Sequence, residues 1–294
     1  MKLIKNSIIL PLAGSMSSFT GGVVTSDGQF VKDSSLYRGR QTEPQKPVEH
    51  LSGTYIYGGC WFSHFGHFIW ESLSRLYAIR QCKNYPILFI SPDEKIYKPY
   101  KILLESIGIK NEIYLITVPT SIEHLIFSVP GSAIHPVYIT DDQINALKYF
   151  YFVKRTEDNT PEKKIWLSRS KLLVGTVINE QAIENILKKF GYTIIYPETL
   201  SLQKQVRLIS QADIVAGFDG SQFFSLLFAK EIFGKFYVFN RRPQIPDTIP
   251  YMFQKRVVEF ALHTFDVEHI CGENAWSYHI HSEPEKILEM LRYL

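Results

Sequence analysis

The chain lacks most of the features that mark specialised classes of protein. It has 3 cysteines in 294 residues: Cys60, Cys82 and Cys271 are odd in number, far apart and without a C-x-x-C pair. That excludes a disulfide framework or a zinc finger, and a reducing, cytoplasmic compartment fits best. Charge of one sign is also scarce. Lys plus Arg number 32 against 29 Asp plus Glu, a net +3, too little for the whole chain to capture nucleic acid, and no such partner is expected. No apolar run approaches the ~18 residues of a membrane-spanning helix. The opening Met1 to Gly14 starts basic and turns apolar, but Lys5 and Asn6 interrupt it and Pro11 cuts it off. It lacks the apolar core and small-residue cleavage site of a signal peptide, so it reads as a first strand, with no leader removed. Internal repeats, low-complexity tracts, G-x-G-x-x-G, a P-loop and H-E-x-x-H are all missing.

Among what is present, aromatic residues stand out at 14%, with 17 Tyr and 20 Phe. They suit stacking on sugars or bases, and equally an ordinary core. The length exceeds what one hydrophobic core usually serves, so two domains of about 150 residues each are expected.

Local patterns fill in those domains. Residues 15 to 50 read as loops and short strands. Tyr55 to Gly59 is a strand, followed by a helix from His64 to Leu76. Pro86 to Ile90 is a continuous apolar run, as in a strand buried on both faces of a parallel sheet. Tyr100 to Ile107 has helical period and stops at Gly108, and Glu112 to Ile116 is the next strand. The charged stretch Lys154 to Lys164 marks a domain boundary or hinge. Beyond it the pattern restarts: strand Ile165 to Leu167, helix Asn179 to Phe190 closed by Gly191, strand Thr193 to Tyr196, helix Ser201 to Gln211 and strand Asp213 to Ala216. The expected fold class is α/β, with two facing Rossmann-like domains over residues 1–155 and 156–275. Within 276–294 an amphipathic helix, Glu285 to Leu294, is expected to pack back on the core.

Two regions carry chemistry. His64, His67 and Glu71 fall at i, i+3 and i+7, on one stripe of the expected helix and facing one cleft, with Arg75 spaced to pair with Glu71. Burying so much polarity among aromatics costs several kcal/mol unless each group has a partner. Zinc is the rival reading of that cluster, but no fourth ligand is evident, and no metal is expected.

The second region comprises loops at the carboxyl ends of strands, where open parallel sheets bind ligands. Ser168-Arg169-Ser170-Lys171 offers a guanidinium and an ammonium suited to phosphate. Gly217-Phe218-Asp219-Gly220-Ser221 is a strand-to-helix turn whose glycines admit a ligand to backbone N–H groups, with Asp219 equally suited to be an N-cap. Asn179-Glu180 and Glu198 offer acceptors for ribose hydroxyls, or ordinary helix-start carboxylates. Arg241-Arg242, ending a later strand, is a candidate site for an anionic acceptor or a membrane surface. Two arginines fall short of stable anchoring, so membrane contact is at most peripheral.

Read together, His64-x-x-His67-Phe68-x-x-Glu71, then Leu73-x-Arg75-Leu76, Leu167-Ser168-Arg169, Asn179-Glu180, Tyr196-Pro197-Glu198-x-Leu200-Ser201 with Gln205, and Ala212-Asp213-Ile214-Val215-x-Gly217-x-x-Gly220-Ser221 with Phe228, resemble glycosyltransferase family sixty-one over roughly residues 55 to 230. The resemblance implies a GT-B fold and an inverting transfer from a nucleotide sugar, a UDP-sugar being favoured, to a glycan or glycolipid. The setting it implies is surface polysaccharide synthesis such as capsule or lipopolysaccharide. It implies an acceptor-binding first domain and a donor-binding second one, with Glu71 as catalytic base and His67 orienting or replacing it. His64 and Arg75 would line the cleft. Arg169, with Lys171, Asn179, Glu198, Gly217, Asp219, Gly220 and Ser221, would hold the donor. No cofactor and no D-x-D metal signature are implied. The chain departs from the family in two places: Gly175, Thr176 and Val177 stand where a second arginine is common, and Asp219 where histidine is. A non-catalytic domain binding nucleotide sugars or carbohydrate is the alternative. A dehydrogenase is disfavoured by the missing G-x-G-x-x-G and its following acidic residue.

Overall fold

The computed structural model describes residues 1–14, 19–35, 42–152, 163–270, 277–280 and 284–292. They form two compact units, Met1–Leu147 and Lys148–Leu294. The division falls ahead of the charged stretch expected as the hinge, of which all but Lys163 and Lys164 lies outside the described residues. By Phe150 the chain is already bridged to Ala229 of the second unit.

The first unit is built on β1 (Lys2–Ala13), β2 (Thr20–Val24), β3 (Glu49–Cys60), β4 (Ile87–Ile90), β5 (Ile113–Ile116) and β6 (Thr120–Phe127), in the order β2-β1-β6-β3-β4-β5. It is a mixed sheet, in contrast to the parallel Rossmann-like layer expected. β3 to β6 run parallel while β1 opposes both β6 and β2. The reason lies in the side chains. β4 is buried at every position, as a central parallel strand should be, whereas β1 and β6 bury only part of their length and suit an antiparallel pair with one wetter face. Pro11 does not end β1. The register with β2 shifts between Leu10 and Ala13, and that irregularity accommodates a residue with no N–H. Tyr57, Leu88, Ile90, Ile122, Leu125 and Phe127 are central to the core. Short helical pieces α1 (Phe65–His67) and α2 (Leu76–Ile79), helix α3 (Lys98–Ser106), the hairpin β7 (Ser132–Ile134) with β8 (Val137–Ile139), and α4 (Asp141–Leu147) complete the unit. Beyond α3, Gly108 takes φ +80°, the left-handed residue that ends a helix.

The second unit alternates strand and helix around a parallel sheet. β9 (Lys164–Leu167), α5 (Glu180–Lys189), β10 (Tyr192–Ile195), α6 (Leu202–Gln211), β11 (Ile214–Phe218), β12 (Lys235–Phe239), α7 (Thr248–Arg256) and β13 (Phe260–His263) alternate along the chain. The sheet order is β10-β9-β11-β12-β13, parallel throughout. Gly191 at φ +79° closes α5, and the Ser201 hydroxyl caps α6 by accepting the Lys204 N–H at 3.4 Å. A short hairpin, β14 (Val267–Ile270) with β15 (Ser277–Ile280), precedes α8 (Pro284–Arg292). Ile287 and Leu291 of α8 are fully buried with Trp166, Leu187 and Tyr192. The chain reverses its winding between β9 and β11. In such sheets the carboxyl ends of those two strands flank a crevice.

Candidate functional site

In the first unit the expected regular helix from His64 to Leu76 is broken. After α1 the chain widens into a π-helical turn, Phe68–Ser72, marked by the Leu73 N–H reaching back to the Phe68 carbonyl at 2.9 Å, and α2 follows only from Leu76. Such turns accommodate one residue more than an α-helical turn and concentrate at functional sites. Every residue from Phe68 to Leu76 is buried, so the segment shows no amphipathic stripe. The Phe62 N–H donates to Ser72 Oγ at 2.9 Å, tying the end of β3 to this turn.

The three polar groups named by spacing do meet here. His67 Nδ1 and Glu71 Oε2 are 2.5 Å apart, and the His64 and His67 rings touch edge to face at 5.3 Å. His64 is exposed, His67 half-buried and Glu71 buried, so the three form a line from solvent inward. Arg75 does not join them. Its guanidinium donates to the carbonyls of Ser128, at 2.9 Å, and Asp33, and it stacks over Tyr57 at 5.0 Å. The expected Glu71–Arg75 pairing gives way to this, because main-chain carbonyls satisfy a buried guanidinium without displacing His67 from Glu71. Glu71 and Arg75 both line a cavity of about 460 Å³ with Phe30, Asp33, Ser74 and Tyr138. His64 and His67 are not among its lining residues. Cys60 also lines it, and burial pushes its thiol up to about 12, which keeps it protonated and unreactive.

In the second unit, Arg169 follows β9 at the reversal point. Nε donates to the Gly175 carbonyl at 2.9 Å and Nη1 to Gln222 Oε1 at 2.7 Å. Burial, then the neighbouring Arg241 charge, pulls its guanidinium down to about 10, so it stays cationic at neutral pH. Glu180 is fully enclosed. Both its oxygens accept the Arg169 N–H at 3.1 Å, and Oε1 also accepts Trp166 Nε1–H at 3.0 Å. It therefore presents no surface to a ribose and is not a solvated helix-start carboxylate either; it shapes the turn that carries Arg169. Glu184 does likewise one helical turn on, accepting the Ser168 and Ser170 hydroxyls at 2.6 Å each and the Tyr196 hydroxyl at 2.9 Å.

The remaining donor-site residues are less uniform than the sequence implied. Lys171 Nζ sits 3.7 Å above the Tyr196 ring. Asn179 occupies the N-cap position of α5 without a side-chain cap bond, and Glu198 is exposed in a 3-10 turn after β10. Gly217 lies within β11, where a Cβ would stand 2.8 Å from the Leu167 carbonyl oxygen, so it serves the close approach of β11 to β9. A Cβ on Gly220 would stand 2.4 Å from Arg169 Nη1, so the missing side chain makes room for the Arg169–Gln222 bond. Ser221 opens a 3-10 helix, Ser221–Phe228, in place of the expected α-helix. Asp219 is not its N-cap. Fully buried, it accepts the Arg241 backbone N–H at 2.7 Å and Arg242 Nε at 2.9 Å, while its carbonyl accepts Arg241 Nε at 2.8 Å.

Gln222 was missed, and no sequence signal marks it. Arg241 and Arg242 were singled out as a basic pair ending a strand, but their contacts with Asp219 were not read; they follow the carboxyl end of β12, as Arg169 follows that of β9. Among the described residues, no three His, Cys, Asp or Glu side chains are grouped to hold a metal ion, and no helix is long and apolar enough to cross a membrane. Residues 65–232, more than half of the chain, match the family described as Glycosyltransferase 61. No curated protein matches the chain.

Proposed function

The chain belongs to the glycosyltransferase 61 family, and from that premise we propose that it is an inverting, metal-independent enzyme moving a sugar from a nucleotide sugar to a hydroxyl of a glycan or glycolipid. The observation that carries this reading is the placement of Arg169 and Gly220 at the carboxyl ends of β9 and β11, on either side of the winding reversal, where doubly wound sheets take phosphorylated ligands. The second unit is then the donor-binding one. Arg169, a buried cation already fixed by Gly175 and Gln222, meets the diphosphate, and its charge offsets the negative charge that develops as the nucleotide departs.

The first unit supplies the acceptor site and the base. The acceptor enters the cavity beside Glu71, whose volume suits one or two sugar rings and whose Phe30 and Tyr138 offer stacking faces. Glu71 takes the proton of the attacking hydroxyl. The acceptor oxygen bonds to the anomeric carbon as the bond from that carbon to the phosphate oxygen breaks, and one displacement inverts the centre. Glu71 rather than His67 is the base because it lines the cavity; His67 holds its other face and fixes the carboxylate's orientation. A UDP-sugar donor, a surface-polysaccharide acceptor and a cytoplasmic setting complete the proposal.

Thermal shift with a panel of nucleotides and nucleotide sugars tests it. One nucleotide should stabilise the native chain, Arg169→Ala should abolish that response, and Glu71→Ala should spare binding while abolishing transfer. No response to any nucleotide overturns the reading.

A further inference from the structure

We propose that Arg241 grips the donor's diphosphate together with Arg169, and that Asp219 is the positioning residue that presents it. The proposal rests on reading this site as the donor site, and adds to it a residue 72 positions beyond Arg169 in the chain.

Convergence is the first argument. Gly175, at φ +69°, lies between the two guanidinium groups. The point where its Cβ would stand is 3.0 Å from Arg169 Nη2 and 3.1 Å from Arg241 Nη1. Both side chains therefore present an Nη edge to one small space, kept open because residue 175 has no side chain. The second argument is charge. Arg241 and Arg242 both reach Asp219, whose Oδ2 lies closer to Arg242 Nε, at 2.9 Å, than to Arg241 Nε, at 3.7 Å, and Arg169 feels the charges of all three. Glu180 is turned toward the Arg169 backbone and Trp166. Arg169 and Arg241 are both largely buried, and their mutual repulsion is enough to help pull the Arg169 guanidinium down. Two desolvated cations held together favour a doubly charged anion between them.

Preorganisation is the third argument. Asp219 fixes Arg241 at its backbone N–H, and the Asp219 carbonyl fixes it at Nε. The planar fork is thus aimed before any ligand arrives, which suits paired phosphate oxygens and would not be reproduced by a lysine.

Isothermal titration calorimetry with UDP, inorganic pyrophosphate and uridine tests this on the full chain. Arg241→Gln is expected to weaken UDP and pyrophosphate about 10- to 100-fold, the worth of one or two charge-assisted hydrogen bonds, and to leave uridine unchanged. Arg242→Gln, whose partner is Asp219, should stay within a few-fold of native. Native-like affinity in Arg241→Gln, with binding lost in Arg169→Ala, overturns the role of Arg241 and leaves the donor site standing. No binding of UDP or pyrophosphate to the native chain overturns both. Should Arg241→Gln fail to fold, Arg241→Lys decides. It keeps the charge and loses the fork, so weaker diphosphate binding supports the proposal and equal affinity refutes it.

Discussion

Replacing Glu180 with glutamine should change how the stability of the chain depends on pH. Glu180 has no exposed surface, and its oxygens accept the Arg169 N–H and Trp166 Nε1–H. Burial is the larger influence and outweighs these bonds, pushing the carboxyl from 4.5 up to about 7. An acid whose folded value lies above its unfolded one binds more protons in the folded chain between the two. Its stabilising contribution is therefore complete below about 4.5 and is lost as pH rises toward 7. A shift of that size corresponds to roughly 3 kcal/mol, a large share of the 5–15 kcal/mol typical of a folded domain. The amide of Glu180→Gln keeps one carbonyl for Trp166 or Arg169 and does not titrate. Urea unfolding midpoints between pH 5 and 8.5, taken for both proteins, isolate the effect, because acids remote from Glu180 drop out of the difference and Glu184 enters only through its charge coupling to Glu180. Native stability minus variant stability should fall by about 2.5 kcal/mol across that range. A difference that stays flat or rises would mean that Glu180 is already ionised at pH 5 and held so by Arg169, and the reasoning from burial would fail.

Three further outcomes follow from the geometry. Gly175→Ala places a methyl group at a left-handed φ and 3.0 Å from Arg169 Nη2. It should cost about 1–2 kcal/mol in denaturant unfolding and weaken nucleotide binding in calorimetry, and native values in both would refute the crowding argument. Ile287→Ala, in the fully buried face of α8, should cost about 2–4 kcal/mol, whereas Met290→Ala on the exposed face should stay within about 0.5 kcal/mol. Glu71→Gln should lower kcat about 10²- to 10⁴-fold and His67→Gln about tenfold with a displaced pH profile; the reverse order would make His67 the base.

The sequence was most readable where a local pattern decided the structure. The apolar runs of β4 and β9 became buried parallel strands, and Gly108 and Gly191 took the left-handed φ that closes a helix. β6 went unread because its alternating Thr120–Phe127 is recognisable mainly through its pairing with β1, more than a hundred residues away. The site divides in the same way. Spacing alone brought His64, His67 and Glu71 together. Asp219 read as a cap because its true partners, Arg241 and Arg242, arrive from another strand's end, and a local rule has no access to contacts made only when β11 and β12 lie side by side.

The wide turn at Phe68–Ser72 makes the Glu71 site a matter of counting as much as of chemistry. Removing one residue between His67 and Leu73 would let the segment tighten to α-helical pitch. A deletion ahead of Glu71 would leave it three positions after His67 instead of four, and so would disturb the spacing that sets His67 Nδ1 against the Glu71 carboxylate. Substitutions in this stretch should therefore be graded by the size and polarity of what they replace. A deletion of Phe68, Ile69 or Trp70 should therefore cost more activity than a substitution of the same residue, because it changes the count between His67 and Glu71.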